Sequence, residues 1–169
     1  MAGLTPPRAL AAEDDRRAFD CGRDSLNKWF QRHAWRNQEA GFTRTNVVCD
    51  PGNGQIAGYV SLAVTHVQRA WLAKAEQRNR PDPLPAALLA QLAVDRRYQG
   101  RGYSRSLMLH AFTIAVRLSD DVGCFCMLTH PLDDRVRDFY RSFGFEDLPF
   151  DPDGSMAVRV IDLKHNGIG

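Results

Sequence analysis

The feature that most constrains this chain is a glycine-bearing turn between an apolar stretch and a helical pattern. The apolar stretch runs from Ala87 to Val94, the turn is 99–102, and the helical pattern begins near Ser104. A strand, a turn and a helix in that order direct several backbone N–H groups at one place, with the positive end of the helix dipole behind them. Because such a place binds phosphate, the sequence predicts a cofactor that carries a diphosphate.

The turn does not match the two best-known phosphate-binding patterns. No Lys-Ser or Lys-Thr pair follows its glycines, as a Walker loop would require, and the third glycine of a dinucleotide fingerprint is missing. It has backbone room at Gly100 and Gly102, positive charge at Arg101 and Arg105, and the small Ser104 at the helix start. A simple tight connection between strand and helix is the alternative interpretation, because glycine often serves that purpose.

Hydrophobic periodicity and turn residues predict a chain of mixed α/β (α+β) class. Strands are predicted at residues 8–12, 43–49, 55–67, 87–94, 124–129 and 155–163, the fourth of them buried on both faces. Helices are predicted at residues 25 to about 41, 104–119 and 133–143, and 69–84 has room for a short helix between its prolines. The turn at residues 50–54 predicts a hairpin, and the tail from residue 164 is expected to fray.

Length and composition limit the classes of protein to which the chain can belong. With 169 residues, 44% of them hydrophobic and 25% charged, it is expected to form one domain over residues 1–169. No apolar run is long enough to cross a bilayer and the start lacks a signal-peptide pattern, so a cytoplasmic protein with no membrane partner is expected. Cys124 and Cys126 should share one face of a strand, and the four cysteines are predicted to be reduced thiols that hold no metal.

Arginine dominates the basic residues. Only three of the 22 are lysines, and two local groups of arginines are Arg32 with Arg36 and Arg78 with Arg80. Because a guanidinium group matches phosphate and stacks on bases, we predict that these four residues contact a nucleic acid. A GC-rich genome would also explain the arginines, and a solvated helix face would explain Arg32 and Arg36 in particular.

The segment from Leu92 to Ser104 resembles the cofactor-binding motif of the GNAT superfamily of acyl-CoA N-acyltransferases. That motif is Gln or Arg, two residues, Gly, one residue, and Gly or Ala. Here Gln99 and Gly102 match it, and Ser104 is a small departure at the last position. A second superfamily element, the aromatic-rich end of a helix at 138–145, follows about one β-α-β unit later. The resemblance covers most of the chain, from the first strand to the last.

This resemblance implies the GNAT fold and acetyl-CoA as the co-substrate. The fold is a mixed central sheet of about six to seven strands with flanking helices, in which parallel strands near 92–94 and 125–128 splay apart. The pantetheine arm would pair with the backbone of one strand, and the diphosphate would bind the N–H groups of the turn. The expected cofactor-binding residues are Leu92, Val94, Gln99, Gly100, Arg101, Gly102, Tyr103, Ser104 and Arg105.

Tyr140 is the catalytic residue that the resemblance implies. It would act as the general acid that protonates the leaving thiolate, whereas spacing alone fits equally well a core aromatic beside Phe139 and Phe143. No general base is evident from the sequence. If the acceptor is a weakly basic amine, such as the α-amine of an aminoacyl ester, water could take its proton. His66 and His130 are open alternatives for the general base.

A narrower similarity is to the GNAT toxins of toxin–antitoxin pairs. It is carried by Phe-Asp-Cys-Gly at 19–22, Ser-Leu-Asn-Lys-Trp-Phe at 25–30 and the string from Leu92 to Gly102. Members of that family acetylate aminoacyl-tRNA, and the resemblance implies this substrate, a ribbon-helix-helix antitoxin and a homodimer. Two alternatives stay open: an N-acetyltransferase for a small amine or a protein N-terminus, and a non-catalytic member that binds an antitoxin or DNA.

Overall fold

A computed structural model describes residues 4–169 as a mixed α/β structure with seven strands and five helices. The strands are β1 Arg8–Ala9, β2 Arg44–Cys49, β3 Ile56–Val67, β4 Leu84–Val94, β5 Cys126–Thr129, β6 Glu146–Asp147 and β7 Met156–Arg159. The helices are α1 Asp24–Arg32, α2 Ala34–Glu39, α3 Tyr103–Asp121, α4 Asp134–Arg141 and α5 Val160–His165. Short 3-10 turns lie at Arg69–Trp71, Lys74–Glu76 and Arg96–Tyr98.

The strands form one sheet in the order β1-β2-β3-β4-β5-β7-β6. β4 and β5 are parallel. The pairs β1–β2, β2–β3, β5–β7 and β6–β7 are antiparallel. Among the described residues, the parallel ladder begins with Ala86 opposite Cys126 and ends with Leu89 opposite Thr129, although β4 continues to Val94. The mixed seven-stranded sheet with a central parallel pair agrees with the predicted fold class, and the splaying of the two strands stays a prediction.

Contacts divide the chain into two compact units. The first consists of the described residues up to Ala63 together with Ala90–Ala111, and the second of Val64–Leu89 together with Phe112–Gly169. β3, β4 and α3 each contribute residues to both units. The expectation of a single domain over residues 1–169 stays a prediction.

The first unit has an aromatic core around Tyr59 on β3. The Tyr59 ring is stacked on that of Phe30 with centroids 4.2 Å apart, and Phe19 contacts it edge-on at 5.4 Å. All three rings are buried, and the Tyr59 hydroxyl donates to the Leu26 carbonyl at 2.9 Å. Because Leu26 and Phe30 are one helical turn apart, this core holds the inner face of α1 against β3.

The second unit has an aliphatic core that includes all four residues of β5, which are buried. A cluster of buried side chains packs on one face of the sheet, namely Val67, Leu72, Leu84, Ala86, Cys126, Leu128 and Leu148. Burial on both faces accounts for the continuous apolar run of β5, as is usual for a parallel strand inside a sheet.

The prediction of one continuous helix over residues 25–41 is wrong, because the structure has two helices there. His33 has φ −119° and ψ −25°, so α1 ends at Arg32 and α2 begins at Ala34. Phe30 and Ala34, on either side of the break, are both completely buried in the same core. Because both helices present apolar residues to that core, the hydrophobic period runs on through the break and conceals it.

The predicted last strand is present but shorter than expected, and the tail does not fray from residue 164, because α5 continues to His165. β7 ends at Arg159, and its guanidinium donates to the Asp162 carboxylate at 2.9 and 3.0 Å in the first turn of α5. Val160 and Leu163 lie three residues apart and are buried, which suits a helix better than a strand. The helix closes where the Ile168 N–H donates to the Leu163 carbonyl at 3.0 Å, a C-terminal capping pattern.

Two further strand predictions need correction. β4 begins at Leu84 rather than Ala87, and Leu92 and Val94 near its end are only partly buried, so the strand is not covered on both faces throughout. Cys124 precedes β5, and its thiol donates to the carbonyl of Cys126 at 3.3 Å, so the two cysteines do not share a strand face.

Candidate functional site

The segment that leads from β4 to the predicted phosphate-binding turn of the first unit starts at a buried carboxylate, Asp95. Asp95 accepts the N–H groups of Arg97 at 2.9 Å and Asp20 at 3.1 Å, and it pairs with the Arg97 guanidinium. Burial favours a higher pKa for this carboxyl, but the hydrogen bonds from Arg97 and Asp20 outweigh it and lower the pKa. The sequence analysis missed Asp95 as a site residue, although an acid directly after an apolar strand was a usable signal.

The side chain of Gln99 supports the turn from within the protein. Its Nε2 donates to the carbonyl of Val94 at 2.9 Å and to that of Cys21 at 3.2 Å. These bonds tie the turn to the end of β4 and to the segment that precedes α1. The role of Gln99 as a direct cofactor ligand stays a prediction, because its amide already binds two protein carbonyls.

The glycines give the turn its backbone course. Gly100 and Gly102 have φ of +77° and +87°, which side chains other than hydrogen rarely allow. A Cβ at either position would meet nothing within 4 Å, so the space beside both is open. The Ser106 N–H donates to the Gly102 carbonyl at 3.1 Å, and the N–H groups of residues 103–105 therefore belong to the first turn, which lacks helical acceptors.

Aromatic and basic side chains line the base of the turn. Tyr98 and Tyr103 are buried and meet edge-on at 5.7 Å, and the Tyr98 hydroxyl donates to Asp50 at 2.9 Å. The guanidinium of Arg101 lies 5.5 Å from the centre of the Tyr98 ring, and both Arg101 and Arg105 are exposed. Tyr103 can therefore offer a ligand its backbone but not its ring, whereas the arginines can offer charge.

Replacing Gly102 with alanine is expected to raise the Kd for acetyl-CoA about tenfold. A Cβ in this left-handed conformation costs about 1–2 kcal/mol, and the turn would relieve the strain by moving its N–H groups. Isothermal titration calorimetry measures the change. Gly41→Ala is the matched control, since Gly41 has φ of +80° and the same open surroundings but follows α2. An unchanged Kd in Gly102→Ala, or an equal loss in the control, would contradict the assignment.

In the second unit, Tyr140 on α4 lies at the end of the parallel ladder. Its side chain interacts with that of Thr129, whose hydroxyl donates to the carbonyl of Leu89 at 3.2 Å. Leu89 and Thr129 are the last paired residues of β4 and β5. The phenol is therefore held beside the place where these two strands stop pairing.

The surroundings of Tyr140 keep its phenol protonated. The side chain is buried, with the rings of Phe139 and Phe145 each at 5.3 Å. Burial raises the pKa of Tyr140, and the interaction with Thr129 lowers it by less, so the net shift is upward. A neutral phenol at the end of two strands can donate a proton to an anion that forms there.

The arginines predicted to contact nucleic acid have different surroundings. Arg32 and Arg36 are exposed on α1 and α2 in the first unit, and Arg78 is exposed in the second. Arg80 is half-buried, its guanidinium lies 4.7 Å from the centre of the Phe125 ring, and its Nε donates to the Glu76 carbonyl. The charge of Arg80 is thus partly used in packing, whereas the other three present theirs to solvent.

The two histidines considered as bases both lie in the second unit. His66 is exposed on β3, and His130 is exposed directly after β5. The Nδ1 atom of His130 is 2.7 Å from the hydroxyl oxygen of Ser155. Ser155 was not singled out in the sequence, because its neighbour in space is 25 residues away along the chain.

Neither a membrane-spanning helix nor a metal-binding cluster is found within residues 4–169. None of the helices there combines the length and the hydropathy that a membrane span requires. No group of three or more histidine, cysteine, aspartate or glutamate side chains in that range is arranged to hold a metal ion.

The sequence profile of the acetyltransferase (GNAT) family matches residues 10–145, which include the turn and Tyr140. The chain belongs to this family. The GNAT superfamily resemblance is thereby confirmed, and with it an acyltransferase that takes acetyl-CoA as co-substrate.

Individual relatives of this GNAT chain are toxins. A tRNA-acetylating toxin of Mycobacterium tuberculosis is 38% identical over 152 residues, which cover 90% of each protein. The solved structure of AtaT complexed with acetyl-methionyl-tRNAfMet has a TM-score of 0.89 at 28% identity, covering 97% of this chain and 99% of that one. The structure of AtaTR bound with AcCoA has a TM-score of 0.83 at 28% identity, covering 96% and 97%. The narrower resemblance to toxin GNAT proteins is confirmed.

Proposed function

We propose that this chain is the toxin of a toxin–antitoxin pair and transfers acetyl from acetyl-CoA to the α-amine of aminoacyl-tRNA, which blocks translation. The observation that carries this proposal is the 38% identity to a tRNA-acetylating toxin over 90% of both proteins. The open glycine turn and the buried, protonated phenol support it, because acetyl transfer from a thioester needs a diphosphate site and a proton donor.

The N–H groups of residues 100–105 bind the diphosphate of acetyl-CoA, with Arg101 and Arg105 adding positive charge. The pantetheine arm pairs with the backbone of Leu92 and Val94, which lie in the part of β4 beyond its ladder with β5. The edge of a strand beyond such a ladder can pair with an added strand.

The transfer itself makes one bond and breaks one. The lone pair of the neutral α-amine attacks the thioester carbon, a C–N bond forms, and the carbonyl oxygen becomes an oxyanion. The C–S bond then breaks with its electron pair on sulfur, Tyr140 protonates the thiolate, and the proton that the amide nitrogen loses passes to water or to a base. The ester linkage lowers the basicity of the α-amine, so a sizeable fraction is neutral near pH 7.

The tRNA contacts Arg32, Arg36 and Arg78, whose guanidinium groups are exposed, and Arg80 to a smaller extent. Contacts of this kind release counterions, so binding should weaken as salt rises. Because charged tRNA is the substrate, the protein acts in the cytoplasm.

A ribbon-helix-helix antitoxin is the protein partner, and the enzyme itself is a homodimer. Support for an antitoxin comes from a solved relative, a mutant AtaT toxin bound to the C-terminus of the antitoxin AtaR, with a TM-score of 0.83 at 24% identity. An identity of 24% is evidence for a shared fold only. The type of antitoxin and the homodimer are therefore proposed from the resemblance to the toxin family. A small ribbon-helix-helix reading frame directly beside the gene is the observation that would support this partner.

The deciding experiment offers radiolabelled acetyl-CoA and three RNA acceptors to the purified protein. Charged tRNA should take up label, whereas uncharged tRNA and charged tRNA with a chemically blocked α-amine should not. The label should leave with the amino acid when mild base cleaves the ester. Label on uncharged tRNA, or on none of the three, would contradict the proposal and favour a small-amine enzyme or a non-catalytic protein.

A further inference from the structure

A hydrogen-bonded chain of three side chains stands beside the end of β5. The His130 Nδ1 atom is 2.7 Å from the Ser155 hydroxyl oxygen, and the Asp151 carboxylate accepts the Ser155 N–H at 3.1 Å and interacts with the Ser155 hydroxyl. Ser155 is completely buried and Asp151 is 8% exposed, whereas the His130 side chain reaches solvent. The proposed chemistry of acetyl transfer has not so far used any of the three.

The charge of the Asp151 side chain determines which group donates each hydrogen bond among these three residues. Burial favours a higher pKa for Asp151, but hydrogen bonds from Ser155 and Asp153 and the charge of His130 outweigh it, so the pKa is lowered and the group is a carboxylate. A carboxylate only accepts, so the Ser155 hydroxyl donates to it and accepts the Nδ1–H of His130. In the uncharged form of the imidazole, this arrangement puts the proton on Nδ1 and leaves a free lone pair on Nε2.

The strand register places His130 and Ser155 together at the ends of their strands. Thr129 pairs with Met156, so His130 and Ser155 are the next residues beyond the ends of β5 and β7. Thr129 interacts with Tyr140, so His130, the next residue along the chain, and Tyr140 both lie at the end of β5.

We propose that His130 is the general base of the acetyl transfer and that Ser155 and Asp151 position it, an inference that rests on the proposed function. When the amine nitrogen attacks the thioester carbon it becomes positively charged, and Nε2 of His130 removes one of its protons. The imidazolium is stabilised through Ser155 by the Asp151 carboxylate. Tyr140 gives its proton to the thiolate, and solvent afterwards takes the proton from His130 and restores that of Tyr140.

The first test reads the tautomer of His130 and needs no substrate. In protein labelled with 15N at histidine, long-range 15N–1H spectra above the titration range of the ring distinguish protonated from bare nitrogen, and His130→Gln identifies the signals. We expect the Nδ1–H tautomer in the wild type and a mixture that includes Nε2–H in Ser155→Ala. An Nε2–H tautomer in the wild type would overturn the proposal.

The second test is kinetic. His130→Gln should lower kcat about 100-fold with the KM for acetyl-CoA within about twofold of wild type, a usual effect of losing a general base. His165→Gln, at the exposed end of α5, is the matched control and should leave kcat unchanged. Added imidazole should partly restore kcat in His130→Gly, which loss of a purely structural contact would not allow.

The outcomes separate this inference from the proposed function. A wild-type protein that acetylates charged tRNA, with a His130→Gln variant within about twofold of it in kcat, would refute the base and leave the proposed function standing. A wild-type protein that does not acetylate charged tRNA would refute the proposed function. The tautomer measurement would then decide the arrangement of His130, Ser155 and Asp151 without reference to tRNA.

Discussion

Tyr140→Phe is expected to lower kcat on charged tRNA about 1000-fold and to abolish growth inhibition, with the Kd for acetyl-CoA unchanged. The substitution removes one oxygen from a buried side chain and keeps the ring that packs against Phe139 and Phe145. Without the phenol, the thiolate must leave without a proton donor held beside the end of β5. Initial rates of coenzyme A release and calorimetry with acetyl-CoA provide the two measurements.

The matched control for this prediction is Tyr59→Phe, which also removes one hydroxyl from a buried tyrosine. The Tyr59 hydroxyl donates to a backbone carbonyl in the core of the first unit, so kcat should stay near the wild-type value. Growth inhibition by Tyr140→Phe at the wild-type level would instead support a non-catalytic protein that acts by binding. Equal losses of rate and of acetyl-CoA binding would assign Tyr140 a structural role.

Tyr59→Ala is expected to lower the free energy of unfolding by about 3–5 kcal/mol. The ring of Tyr59 is completely buried and contacts Phe19, Phe30 and Trp29, with centroid distances from 4.2 to 6.0 Å. Alanine would leave a cavity between α1 and β3 and remove the stacking that joins them. Urea denaturation followed by tryptophan fluorescence measures the loss, because Trp29 lies in this cluster.

Comparison with Tyr59→Phe separates packing from hydrogen bonding in this core. That variant keeps the stacked ring but leaves the Leu26 carbonyl without its 2.9 Å partner, so a loss of about 1 kcal/mol is expected. Similar losses in the two variants would show that the hydroxyl, not the ring, holds α1. A loss below about 1 kcal/mol in Tyr59→Ala would contradict the central place of this ring.

Local patterns predicted the backbone of the glycine turn well because its causes are local. Gly100 and Gly102 adopt positive φ angles that few other residues allow, and the helix that follows begins within one residue of the predicted start. The turn at residues 50–54 lies between β2 and β3, as a hairpin requires. In each case a few adjacent residues determine the backbone conformation, so the local sequence is enough to predict it.

Patterns failed where the hydrophobic period had two explanations. The period from Leu26 to Ala34 continues through the break at His33, because α1 and α2 face one core. The apolar residues of 155–163 fit a strand until Arg159 pairs with Asp162 and turns the chain into α5. The full apolar stretch of β4 suggested complete burial, yet its end is only partly covered.

The order of residues by itself determined the glycine turn and the α/β class of the fold, because these follow from residue types and local spacing, whereas Tyr140 was chosen from the resemblance to the GNAT superfamily. Only the tertiary structure decided which groups meet at the end of β5. Thr129 reaches Leu89 across 40 residues and His130 reaches Ser155 across 25, through strand pairings that no local pattern contains. Register, a property of two strands together, selects these contacts and so determines which side chains can act on one substrate atom.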